Sequence, residues 1–295
     1  MDWKEVLLEY KSYLKLEKNL STNTLEAYLR DVRKLQKFSD LGPLKITSTD
    51  VEEFLFQYAK ENYATRSQAR LVSSLKSFFG YLQLEEWRTD NPSELLESPK
   101  LGLKLPDTLS EEEIDKLIAS IDLSLPEGER NRAILETLYG CGLRVSELTE
   151  LKLSDLFLEE NFIRVIGKGN KQRLIPISNY TIKFIELYKN EIRVHLPIQK
   201  GFEDYLFLNR RGKKLTRVMI FTIIKNLAEK AGLRKKISPH TFRHSFATHL
   251  LKNGADLRSI QMMLGHESIT TTEIYMHLDD TSIREAVLKF HPRNN

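Results

Sequence analysis

Cysteine is almost missing from these 295 residues: Cys141 stands alone. An intramolecular disulfide and a cysteine zinc site are therefore excluded. No stretch approaches the roughly 20 apolar residues of a membrane span. The start, Met1-Asp2-Trp3-Lys4-Glu5, lacks the apolar core of a signal peptide, so a cytoplasmic protein is expected. Gly167-Lys168-Gly169 invites a nucleotide-loop reading, but the Walker pattern is absent, as is H-E-x-x-H. There are no internal repeats and no low-complexity tract. Neither sign of charge dominates: 45 Lys and Arg against 41 Asp and Glu leave a net charge of +4. The mild basic balance favours an anionic partner without selecting one.

What is present is ordinary globular material, 41% hydrophobic and 29% charged, enough for two cores. Trp3, Val6, Leu7, Tyr10 and Leu14 form a helical stripe over residues 3–17. Ser21 and Thr22 offer caps for a helix carrying Leu25, Tyr28, Leu29, Val32 and Leu35. After the break at Gly42-Pro43, Thr49-Asp50-Val51-Glu52 fits a capping box opening a third helix. A fourth holds Leu71, Leu75, Phe78, Phe79 and Leu82. Four amphipathic helices with short links predict a helical domain over residues 1–97. Arg66, Arg70 and Lys76 lie at or along the fourth helix, as phosphate contacts or as a solvated face. Residues 98–107 are bounded by prolines, have no helical stripe and read as an interdomain linker.

A second domain, 108–295, begins at another capping box, Ser110-Glu111-Glu112-Glu113. A helix from about Glu129 to Tyr139 ends at Gly140-Cys141-Gly142, a bend that holds a small buried residue. The glycine pair would admit a ligand backbone, with Arg144 pointing into that space. Glu147 either orients the Arg144 guanidinium or makes a helix-surface ion pair. Phe162–Ile166 and Arg173–Ile177 are β-like, with Lys168 in the hairpin turn between them, a charged turn residue on its own reading. Helices are expected near 179–194, 216–231, 240–253 and 256–264, with Tyr205–Leu208 as a short strand. A terminal amphipathic helix, Ser282 to Phe290, packs on its own domain or docks on a neighbour. The basic runs Arg210-Arg211-Gly212-Lys213-Lys214 and Arg234-Lys235-Lys236 read as solvated loops.

The stretch from His240 to Tyr275 carries the most chemistry. His240 and Arg243 are one helical turn apart and leave one face. His266 follows Leu264-Gly265, a helix stop. Tyr275 comes one short segment later. An arginine, two histidines and a tyrosine point to phosphate chemistry: guanidinium and imidazoles hold oxygens, and a phenol oxygen attacks phosphorus. Each residue alone has a plain alternative as a surface or core side chain. The set carries the reading.

With Arg144, Lys168, His240-x-x-Arg243, His266 and Tyr275 in that order, the chain resembles the tyrosine recombinase (phage integrase) family, over essentially its whole length. Gly142-Leu143-Arg144-Val145-Ser146-Glu147-Leu148, the run from His240 to His249 and Leu264-Gly265-His266 look most like its Xer subgroup. The resemblance implies a mainly α fold. A four-helix SAM-like core-binding domain would precede a mostly helical catalytic domain with a small β-sheet. It implies that Tyr275 attacks the scissile phosphate of double-stranded DNA, forming a 3′-phosphotyrosyl link. Arg144 and Arg243 would neutralise the growing charge, His266 would add a hydrogen bond, His240 would assist the nucleophile, and Lys168 would protonate the leaving 5′-oxygen. No cofactor, metal or ATP is expected. Four protomers, identical or of two Xer recombinases, would assemble on DNA, each 282–290 helix docking into the next. Chromosome dimers would be resolved at a terminus site during cell division, activated by an FtsK-type DNA translocase.

Three rivals remain. His240 and His244, with His266 or Glu267, are spaced as zinc ligands often are. A regulator or architectural protein would keep the fold without catalysis. A mobile-element integrase would keep the chemistry in another role.

Overall fold

The computed structural model describes residues 1–61, 63–99, 108–167, 171–265 and 286–294. The chain divides into two compact units, Met1–Lys104 and Leu105–Asn295.

The first three helices of the first unit start at side-chain caps. Asp2 and Glu5 form a capping box that opens α1 (Trp3–Leu16), and Ser21 caps α2 (Thr22–Phe38). The box that opens α3 (Ser48–Lys60) is Thr47 with Asp50, not the Thr49 box expected from sequence. Thr47 is the residue with extended backbone whose hydroxyl meets the Asp50 N–H, which a pattern match cannot distinguish from Thr49. The fourth helix, α4 (Thr65–Leu84), sends Leu71, Leu75, Phe78, Phe79 and Leu82 inward. They meet Tyr10, Leu14, Val32, Leu35 and Val51 in one apolar core. One carboxylate lies inside it. Asp31 is fully buried and is held by Arg70 Nε at 2.9 Å and Nη2 at 3.2 Å, with Ser74 Oγ at 3.2 Å.

The second unit is organised around a helix with almost no free face. After α5 (Glu111–Ala119), opened by the Ser110 and Glu113 box, α6 (Gly128–Cys141) buries every residue from Ala133 to Cys141. It extends past Tyr139 and stops where Gly142 turns left-handed, φ +58°. The glycines here serve the protein's own packing rather than a ligand. A Cβ on Gly140 would stand 2.3 Å from Thr181 Oγ1, and one on Gly142 would stand 2.4 Å from the Phe246 ring. Beyond the short α7 (Val145–Glu150), three strands form an antiparallel sheet in the order β1-β2-β3: β1 (Leu156–Phe157), β2 (Phe162–Ile166) and β3 (Gln172–Pro176). Ile163 pairs with Ile175, and Val165 with Arg173. The two-residue β1 is too short to leave a periodic signal.

Helix α8 (Asn179–Leu187) covers α6. Its continuation widens to a π turn at Tyr188–Ile192 and tightens to 3-10 at Arg193–His195, where one α-helix was expected. Arg193 is buried there and donates to the carbonyls of Glu203, Tyr205 and Leu206. Tyr205–Leu208 is not a strand; only isolated bridges, Lys152 with Tyr205 and Leu208 with Lys214, form there. These loop residues divide their backbone groups between side chains, such as Arg193 and Tyr188, and scattered backbone partners such as Leu151 and Leu215. The last described helices are α9 (Arg217–Lys230), α10 (Pro239–Lys252) and α11 (Leu257–Leu264), followed by helical residues 286–290. Among the described residues no helix is long and apolar enough to cross a membrane.

Candidate active site

Arg144 reaches its place through two local devices. The left-handed Gly142 ends α6 abruptly, and Arg144 becomes the extended N-cap of α7. Its own backbone N–H donates to Glu147 Oε2 at 2.7 Å. Its guanidinium turns over the same carboxylate, with Nη1 to Glu147 Oε1 at 2.9 Å and Nη2 to the Gly265 carbonyl at 3.2 Å. The side chain remains 31% exposed.

Arg243 comes to the same place from α10. Ser238 and Thr241 box the start of that helix, and Pro239 occupies its first turn. His240 is exposed in that turn, whereas Arg243, one turn on, is buried. Its Nη1 donates to the Gly142 carbonyl at 2.9 Å and its Nη2 to the Leu264 carbonyl. It stands 3.8 Å from Glu147 Oε2. Burial, and then the neighbouring Arg144 charge, push the Arg243 pKa down to about 9. A guanidinium in that setting gains from any anion that arrives.

Glu147 is the centre of the arrangement and is buried at 4% exposure. Burial by itself raises a carboxyl pKa. Here the bonds from Arg173 and then Arg144 outweigh it, and Glu147 stays below the usual carboxylate range. The helix-surface reading of Glu147 is therefore set aside. Sequence reasoning did not single out Arg173, which grips both Glu147 oxygens, Nη1 to Oε1 at 2.7 Å and Nη2 to Oε2 at 2.9 Å. The available signal was a charged residue in the apolar run Arg173–Ile177, beside a Gly-Lys-Gly turn.

Arg144, Arg173 and Arg243 are thus brought together around the Glu147 carboxylate. His240 lies on the first turn of the helix that supplies Arg243. Lys168, His266 and Tyr275 lie outside the described residues, as does the first part of the 282–290 segment. Gly167 and Gly265, the described neighbours of Lys168 and His266, both border the arginine cluster: Arg173 atoms lie about 3.3 Å from the Cβ position of each. In the first unit, Arg66 and Lys76 are exposed on α4, and Lys76 Nζ donates to the Glu94 carbonyl at 3.2 Å. Arg70 is occupied by Asp31. The basic loop at 234–236 is tied down by Lys235, which bonds Glu113 at 2.7 Å. Among the described residues no three His, Cys, Asp or Glu side chains are grouped as a metal site requires.

Comparison with known proteins places the chain in a family. Residues 107–282 match the phage integrase family, and residues 7–86 match its N-terminal SAM-like domain. Tyrosine recombinase XerD of Listeria innocua is 42% identical over 294 residues, covering 98% of this chain and 99% of that one. Tyrosine recombinase XerD of Staphylococcus aureus is 40% identical over 292 residues, at the same coverage. Among solved structures, XerA recombinase matches at 34% identity with a TM-score of 0.51, over 98% of this chain and 99% of that one. XerH site-specific recombinase, bound to its difH substrate in a pre-cleavage complex, matches at 26% identity with a TM-score of 0.68, over 97% of this chain and 84% of that one. The chain belongs to the phage integrase family of tyrosine recombinases, enzymes of site-specific recombination, and within that family it is XerD-like.

Proposed function

We propose that this recombinase cuts and rejoins double-stranded DNA at a replication-terminus site, resolving chromosome dimers during cell division. The observation that carries the proposal is the meeting of Arg144 and Arg243, from separate helices, on Glu147. Two guanidinium groups beside one carboxylate suit the nonbridging oxygens of a phosphodiester. Charge on those oxygens grows as phosphorus becomes five-coordinate. Fixed donors aimed there lower the barrier without reorganising.

In this reading the Tyr275 oxygen attacks phosphorus in line and the 5′-oxygen leaves. The protein is joined to the 3′-phosphate, and the ester keeps the energy needed for resealing, so ATP is not required. A tyrosine hydroxyl has a pKa near 10, so it needs help at neutral pH. His240, exposed one turn before Arg243, is assigned that task. Lys168 protonates the departing oxygen, and His266 adds a donor to the phosphate. The arginines do what metal ions do in two-metal nucleases.

The first unit, with Arg66 and Lys76 exposed on α4, is assigned to grip the duplex through phosphates, which supply most of the affinity. Residues 98–107 join it to the catalytic domain. Four protomers on two sites, alone or with a second Xer recombinase, complete the assembly in the cytoplasm, and the 282–290 helix links neighbours. A DNA translocase of FtsK type is the proposed activator. The similarity to XerD relatives supports that role.

The test is a suicide substrate, a nicked duplex of the organism's own terminus DNA that loses the 5′-fragment on cleavage. The intact protein is expected to form a covalent adduct in excess EDTA, mapped to Tyr275, and Tyr275→Phe none. An adduct at another residue, or cleavage only on adding zinc, overturns the assignment.

A further inference from the structure

We infer that Arg173 is a positioning residue for phosphoryl transfer. It locks Glu147 and the end of α11 so that Arg144 and Arg243 are presented to the phosphate as a rigid pair. The inference deepens the recombinase reading and rests on it.

Every nitrogen of Arg173 is engaged by the protein. Its Nε donates to the Met263 carbonyl at 2.8 Å, and its two terminal nitrogens grip the two oxygens of Glu147. Only 12% of the side chain is exposed. Two of its nitrogens neutralise the Glu147 carboxylate, so its charge is spent inside the protein, whereas Arg243, though as buried, bonds only backbone carbonyls and keeps its charge for an anion. Arg144 differs, being 31% exposed.

The end of α11 shows what this commitment achieves. Three consecutive carbonyls there each receive one arginine. Arg173 takes Met263, Arg243 takes Leu264 and Arg144 takes Gly265. These are the carbonyls a helix leaves unpaired at its C-terminus, where its dipole is negative and cations are favoured. The left-handed Gly265, φ +62°, closes the helix and leaves room for the Arg173 side chain, 3.3 Å from where a Cβ would be. Gly167 leaves room on the other side, with Arg173 Nη1 3.3 Å from its Cβ position. One guanidinium thus ties together the root of the β2–β3 turn, the α7 carboxylate and the end of α11.

Charge gives the second half of the case. Glu147 positions Arg144, but a bare carboxylate beside a phosphate repels it. The bidentate fork of Arg173 absorbs that charge, leaving Arg144 and Arg243 in excess for the anion. Without Arg173, Arg144 and Arg243 would be drawn onto Glu147 and their forks would turn from the phosphorus.

The experiment uses the full-length protein and the nicked terminus-site substrate under single turnover, with binding followed by gel shift and folding by thermal melting. Arg173→Gln is expected to bind DNA within about twofold of the parent but to cleave about 100-fold more slowly, the scale for a lost oxyanion-type contact. The deciding readout is the same substrate with a methylphosphonate at the scissile position, which removes a negative charge. If Arg173 works through the arginine pair, its deficit shrinks about tenfold on that substrate, as that of Arg144→Ala must. A deficit of the same size on both substrates means a merely structural role and overturns the inference. In a double-mutant cycle, Arg173→Gln with Glu147→Gln should lose little more than the worse single variant, because the two act as one unit; independent, multiplying losses contradict it. Arg173→Lys keeps the charge without the fork and should fall between parent and Gln. If neither Arg173 variant folds, the residue is a stability element and the inference fails. Wild-type cleavage with no Tyr275 adduct would sink the recombinase reading itself. Normal cleavage by Arg173→Gln, with Arg144→Ala inactive, would sink only this inference.

Discussion

Arg144 and Arg243 do different work although both are guanidiniums on the same carboxylate. Arg144 is the more open, and its backbone N–H and its side chain both engage Glu147. Arg243 is buried, with its terminal nitrogens on two backbone carbonyls. In either position a lysine would supply one point charge where a planar fork is used twice. Arg144→Ala and Arg243→Ala are expected to keep DNA affinity, because most phosphate contacts lie elsewhere along the duplex. Each should lose cleavage by about 100-fold or more, as removal of one transition-state donor does. Gel shift and single-turnover cleavage on one substrate check this together. Equal loss of binding and cleavage would assign the arginines to affinity instead. Arg144, Glu147 and Arg243 could be singled out in sequence because motif order and helical spacing survive without coordinates. Arg173 was not, because its meaning depends on Glu147, far off in the chain, and on two glycines that make space for it.

Elements were legible where their signal is local. The striped helices α1, α2 and α4 follow from periodicity, and the start of α2 also from the Ser21 side-chain oxygen. The β2–β3 hairpin follows from two β-branched runs around a glycine turn. What stayed hidden was decided by tertiary contact. The helical run after α8 changes its hydrogen-bond pattern at Tyr188, whose hydroxyl accepts from the Leu208 N–H at 3.2 Å. The glycines at 140 and 142 looked like an opening for a ligand and proved to be places where α8 and α10 press on α6. Gly142 is the sharper case, combining a left-handed backbone with a ring against its Cα. Gly142→Ala is expected to cost about 3 kcal/mol, from left-handed strain on a side-chain-bearing residue plus overpacking against Phe246. It should lower the thermal midpoint of the second unit. Because Arg144 begins just past that bend, cleavage should fall more than binding. A variant as stable as the parent would mean that the bend relaxes freely.

At the scale of the whole molecule, the second unit is closed by its two ends. Near its start, the Leu109 N–H donates to Ser245 Oγ at 2.8 Å, 136 residues away in sequence. Near its finish, Ala286 and Val287 join the core, and His291 is fully buried against Tyr139 and Phe246. Burial lowers the His291 pKa to about 3, so the ring is neutral at ordinary pH. Arg293 then reaches back 157 residues to the buried Glu136, Nε to Oε2 at 3.1 Å. The other oxygen, Oε1, has no hydrogen-bond partner among the described residues. Glu136 is therefore a costly carboxylate held mainly by the chain's last arginine. Burial raises its pKa and Arg293 opposes the rise. Arg293→Ala should destabilise the unit by about 3 kcal/mol near neutral pH, the scale for stripping one partner from a buried pair. The pH dependence fixes the cause. A carboxyl whose folded pKa lies above its unfolded value adds stability at low pH and loses it as pH rises through the folded value. Without Arg293 that folded pKa climbs further, so the deficit should narrow as pH falls from about 8 toward about 5. Chemical denaturation of parent and variant at both pH values measures it. A deficit that is the same at both, or that widens in acid, would show that Arg293 acts by packing over Tyr139 and Tyr180 rather than by holding the charge of Glu136.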